Sequence, residues 1–183
     1  MHLCNVVNHD PTYCLQITLK LPKNLLVSGH LPWITGLLCP KIGPEFPTLW
    51  AADASGQLTI WYVPREGLEF TPAYTVKAHY SAINDLQKTW RHVISIGDDG
   101  LVVLHDIIGF YRVRTVDVMY YCLYYNLFQS TPHIAAYKNN PYHGQIPRRI
   151  KCLHVKENYE TGGTLLLGTS YGEVMIISLG TTV

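Results

Sequence analysis

A length of 183 residues sets a prior of one domain. Lys and Arg number 14 against 13 Asp and Glu, so the chain lacks the clustered positive charge of a nucleic-acid or polybasic membrane footprint. Charged residues are 15% of the chain, against roughly 25% in an average domain, and hydrophobic residues are 48%; this excludes disorder and implies surface made to be covered.

No run reaches the roughly 18 apolar residues of a bilayer span. The most apolar stretch, 118–128, is short and rich in Tyr. Residues 1–10 lack the basic flank and apolar core of a signal peptide, so no direct membrane insertion is expected. Cys4, Cys14, Cys39, Cys122 and Cys152 are unevenly spaced and form no Cys-x-x-Cys. That pattern suggests neither a disulfide framework nor a zinc site, and it fits an intracellular chain, cytoplasmic or nuclear. No His-Glu-x-x-His, Gly-x-Ser-x-Gly or phosphate loop occurs. The chain is therefore read as a non-enzyme with no catalytic residue, metal or cofactor.

In chain order, 13–20 alternates apolar and polar residues and predicts a strand. The form His-x-x-x-Ile-x-x-Leu follows at His30, Ile34 and Leu37, and returns at His79, Ile83 and Leu86; a third copy keeps only Ile150 and Leu153. Each copy precedes a predicted hairpin: 49–62 around Gly56, 93–106 around Gly100, and 165–178 around Gly172. These three segments align without gaps as apolar strand, small polar turn closed by glycine, and second apolar strand. Alternating stretches at 74–77 and 111–118 predict a further strand after the first two hairpins.

The glycines lie 44 and 72 residues apart. The first spacing matches the roughly 40–45 residues of a four-stranded propeller blade. The second is a blade plus an insertion, placed at 119–145. This Tyr-rich segment could be a short amphipathic helix or a strand pair; it either packs on the rim or docks a partner. Arg148, Arg149 and Lys151 form a small basic run, read as a solvated loop.

These residues resemble the WD40 repeat family, whose blade runs from Gly-His through an apolar pair and a Ser/Thr strand to an Asp-Gly turn and a strand ending in Trp-Asp. The resemblance covers about 26–179. It implies an all-β fold: an incomplete WD40-like propeller of about three four-stranded antiparallel blades. The expected divisions are 1–25, an N-terminal strand that could be the outer strand of a preceding blade; 26–77, first blade; 78–118, second blade; 119–145, insertion; and 146–183, incomplete third blade. It also implies a buried hydrogen-bond network. The second blade offers His79, Ser95 and Asp99, with His105 in the Trp column. The first offers His30 and Trp61, with Ala51 and Ser55 at the other positions. The third has Leu167, Tyr171 and Ile177 there and should rely on apolar packing.

Three blades do not close a ring, so both terminal faces are expected to need a neighbour. The implied function is non-catalytic protein–protein interaction, with a protein partner or additional blades as occupant and an oligomer possible. The alternative is an accessory propeller segment of a larger enzyme or membrane-trafficking protein. Partner-binding candidates are the residues after the His and before the turn: Leu31, Pro32 and Trp33; Tyr80, Ser81 and Asp98; and Ser170.

Overall fold

The computed structural model describes residues 2–6, 14–19, 33–40, 47–65, 70–118, 149–157, 163–170 and 172–179. The fold is all-β and propeller-like. A two-stranded hairpin, β1 (His2–Val6) with β2 (Cys14–Thr18), comes first. Sequence reading gave one strand here. The partner strand has no alternating pattern to announce it.

Three antiparallel sheets follow, each in simple sequential order. The first holds β3 (Ile34–Leu38), β4 (Thr48–Asp53), β5 (Gln57–Tyr62) and β6 (Thr71–Lys77). The second holds β7 (Ile83–Lys88), β8 (His92–Gly97), β9 (Leu101–Asp106) and β10 (Arg112–Asp117). The third holds β11 (Ile150–Lys156), β12 (Thr164–Thr169) and β13 (Val174–Ser178), three strands among the described residues. The insertion 119–145 lies outside the described residues.

The sheets repeat in backbone detail. Gly56, Gly100 and Gly172 have φ of 87°, 78° and 75°. Each donates its N–H to the carbonyl three residues earlier, Asp53, Gly97 and Thr169. These left-handed positions are why glycine recurs there. A register shift follows the first residue of each leading strand, at Ile34, Ile83 and Ile150. A second shift recurs where Trp61 pairs Pro72 and His105 pairs Arg112. Bulges at matching places give the sheets a common twist.

The leading strands lie side by side, β7 between β3 and β11. Strand alternation gives each sheet two apolar faces, and successive sheets bury them together. One core joins Trp50, Ala52, Leu58 and Ile60 to Ile83, Leu86, Val93 and Phe110. The next joins Ile94, Ile96, Val102 and Leu104 to Ile150, Leu153, Leu165 and Leu167. The rear face of the first sheet was expected to lack a neighbour, but Leu19, just past β2, packs there with Leu49, Ala51 and Trp61. The N-terminal hairpin thus leads directly into the core.

Candidate functional site

The glycine turns and the approaches to the leading strands form one end of the array. Three equivalent hydrogen bonds build it: Ala54 N–H to Trp33 O at 2.8 Å, Asp98 N–H to Ala82 O at 2.9 Å, and Ser170 N–H to Arg149 O at 2.9 Å. Trp33, Asp98 and Ser170 therefore share this end. Trp33 is 82% exposed and Tyr80 85% exposed, so neither is a core residue. Leu31, Pro32 and His30 lie outside the described residues.

In the second sheet, His79 is fully buried and bonded at both ring nitrogens. Nε2 is 2.8 Å from Ser95 Oγ, and Nδ1 is 3.0 Å from Asp99 Oδ1. Asp99 also accepts the N–H of Tyr80 and of Leu101. Burial alone would raise the Asp99 carboxyl; the His79 bond and these amides outweigh it and hold it below the usual carboxylate range. The set is a structural lock between the approach and the turn, with no exposed reactive group.

His105 does not join this lock. It is fully buried beside Trp50, centroids 6.2 Å apart, and neither ring nitrogen has a hydrogen-bond partner among the described residues. Burial, then the charges of Arg112 and His79, pushes its pKa down to about 4. The Phe110 backbone opposes this without reaching hydrogen-bond geometry. Trp61, in the matching column, is buried among Leu19, Leu49 and Ala51.

The first sheet uses a residue that sequence reasoning passed over. Asp53 Oδ1 accepts Ser55 N–H at 2.8 Å, Ser55 Oγ–H at 2.6 Å and Gln57 N–H at 3.1 Å. It does for Gln57 what Asp99 does for Leu101. The signal was an Asp three residues before the turn glycine, where it closes an Asx turn.

One partner-binding candidate, Asp98, is already engaged within the chain. Asp98 Oδ1 accepts Asn84 Nδ2–H at 2.7 Å and Lys151 Nζ–H at 2.5 Å. Burial raises the Asp98 carboxyl, but these bonds and the charges of Lys151 and Arg149 bring it below its ordinary value. Asn84 also donates to Ile150 O, and Leu153 N–H donates to Asp85 Oδ2 at 3.2 Å. This is a clamp between second and third sheets, so Lys151 is not a plain solvated-loop residue. The Ser81 hydroxyl is buried with no partner among the described residues, so it is not presented outward.

The exposed feature with a repeat behind it is the forward face of the third sheet. Val174 and Ile176 are 77% and 71% exposed. By the glycine alignment their counterparts are Val102 and Leu104 in the second sheet and Leu58 and Ile60 in the first, all buried between sheets. Among the described residues, no group of three or more His, Cys, Asp or Glu could hold a metal, and no helix is long and apolar enough to cross a membrane. No protein-family model and no curated protein sequence matches the chain.

Proposed function

We propose that this chain is a non-catalytic protein–protein interaction module of WD40-like sheets, and that its principal docking surface is the forward face of the third sheet. The observation that carries this reading is the exposure of Val174 and Ile176 in columns that are buried wherever a following sheet exists. A partner offering the apolar face of another sheet would repeat the packing already made twice. The occupant is then a further blade, from another chain or a second copy. Trp33 and Tyr80, exposed at the turn end of the first and second sheets, are of a residue type enriched at interface hot spots and offer a separate contact region.

The test is Val174→Asp with Ile176→Asp. Light scattering follows association over a concentration series and with added partner, and thermal melting follows the isolated chain. Association should fall while the melting temperature holds, because the substituted side chains face water in the free chain. A cooperative loss of stability, as when a core pair worth about 1.5–3 kcal/mol per side chain is removed, would show that the face is covered within the chain and would refute the reading. So would wild-type association that the two substitutions leave unchanged.

A further inference from the structure

The opposite end of the second sheet carries a surface of another kind. Residues 88–92 join β7 to β8 and residues 106–112 join β9 to β10, and Ile107 N–H donates to Arg91 O at 3.0 Å, pinning one turn to the other. Both turns are internally fixed. Thr89 Oγ1 accepts the N–H of Arg91 and of His92, and Asp106 Oδ1 accepts the N–H of Ile108 and of Gly109 at 2.9 and 2.6 Å. Phe110 adopts φ of 62°, a left-handed conformation that is costly for a bulky side chain. Its ring is held against Trp50 at 5.6 Å, with Tyr62 and Tyr74 on it.

What this anchoring holds out is an apolar tip. Ile108 is 72% exposed, Trp90 61% and Tyr111 59%. The Arg91 guanidinium lies 4.1 Å from the Trp90 ring centroid, Lys88 begins the first turn, and Arg112, at the end of the second, donates a guanidinium N–H to Lys77 O at 3.2 Å. The only carboxylate in the two turns, Asp106, is engaged by the turn's own amides. The near-neutral total charge of the chain conceals this arrangement, because the basic residues of 88–92 and the apolar residues of 106–112 meet only when the two turns do.

We propose that this tip docks on the surface of an anionic lipid bilayer, with Trp90, Ile108 and Tyr111 seated at headgroup level and Lys88 and Arg91 facing lipid phosphates and carboxylates. The net charge of the two turns is positive, with Lys88, Arg91 and Arg112 against Asp106, and is complementary to such a surface. Trp and Tyr favour the membrane–water interface, where an amphipathic ring has both its environments. Basic side chains beside it gain from the negative surface potential. Docking by two turns requires no spanning segment and leaves the forward face of the third sheet available.

The experiment is co-flotation of the full chain with vesicles of phosphatidylcholine alone and of equal parts phosphatidylcholine and phosphatidylserine. The expected result is binding to the mixed vesicles that is about tenfold weaker on phosphatidylcholine alone and is weakened by added salt. Trp90→Ser with Ile108→Ser should lower binding to the mixed vesicles about tenfold with melting unchanged, since both side chains are exposed. Lys88→Glu alone should lower it measurably, and this variant decides the matter if the double one fails to fold. The proposal is overturned if wild type floats with neither composition, if it floats equally with both, or if the tip variants bind as wild type does. It is also overturned if they lose a protein partner while no vesicle binding exists. Val174→Asp with Ile176→Asp should leave flotation unchanged, so failure here and failure of the docking face are separable.

Discussion

Acid should weaken this protein through His105. The ring is neutral in the folded state because it is buried without a hydrogen-bond partner among the described residues, its pKa lowered from 6.5 to about 4. The unfolded chain takes up the proton at the ordinary value. Between about pH 6.5 and about pH 4 the unfolded state therefore binds more protons, so stability falls as pH falls through that window and levels off below it. The gap corresponds to about 3 kcal/mol in full, of which about 2.5 kcal/mol is lost by about pH 4.5. Asp98 and Asp99 are held below their ordinary range, so their contribution is kept through this window and lost only at lower pH. His92, lowered mainly by burial, acts in the same direction as His105 and makes a comparison necessary. The variant is His105→Phe, an aromatic in the column that Trp61 fills in the first sheet. Urea unfolding of both proteins at about pH 7.5 and about pH 4.5 should show wild type losing about 2.5 kcal/mol more than the variant. Equal losses would refute the assignment of acid sensitivity to a neutral buried His105.

Two further outcomes concern glycines. At Gly97 a Cβ would stand 2.7 Å from His79 Nδ1 and 2.9 Å from Asp99 Oδ1, so Gly97→Ala should cost about 1–3 kcal/mol in denaturant unfolding. It should cost distinctly less in a His79→Ala background, by double-mutant cycle. Gly56 and Gly172 share a left-handed φ, but a Cβ on Gly56 would meet the His79 and Ser81 carbonyl oxygens at 2.4 Å, whereas one on Gly172 meets nothing within 4 Å. Gly172→Ala should therefore lose about 1–2 kcal/mol from backbone strain alone, and Gly56→Ala at least twice that by thermal melting.

The sheets were legible in the sequence because turn chemistry and period-two alternation are local signals. Gly56, Gly100 and Gly172 each fix a hairpin without knowledge of the rest of the chain. The His79, Ser95 and Asp99 contacts were legible only through a family resemblance. Asp53 was missed because that resemblance directed attention to Ser55, two residues on. Exposure was not legible at all. Val174-Met-Ile-Ile and Val102-Val-Leu-His read alike as buried strands, and what separates them is that, among the described residues, a following sheet packs on Val102 and none on Val174. The aromatic tip was hidden for a related reason: nothing local shows that Trp90 and Ile108 stand on touching turns, or that Phe110 takes the buried place while Tyr111 does not.

The uneven survival of the polar set shows where the fold is specified. Among the described residues a His–Ser–Asp arrangement occurs in the second sheet, and the third has Leu167 and Ile177 in the network columns. All three nevertheless keep the same glycine turn, and each leading strand shifts register at the same place. A net hydrogen bond contributes about 0.5–1.5 kcal/mol, while each large apolar side chain buried between sheets contributes about 1.5–3 kcal/mol, and ten such residues fill the core between second and third sheets. Apolar burial can therefore replace the polar lock, but it cannot replace a left-handed glycine or a bulge that aims the leading strand. Substitution in the network columns should accordingly be tolerated wherever both members of a contact change together. The same reasoning explains why function is sought on faces rather than in a polar pocket. The polar side chains Asp53, His79, Asn84, Ser95, Asp98 and Asp99 are bonded within the chain, and the third sheet presents outward the apolar face that its own repeat would otherwise bury.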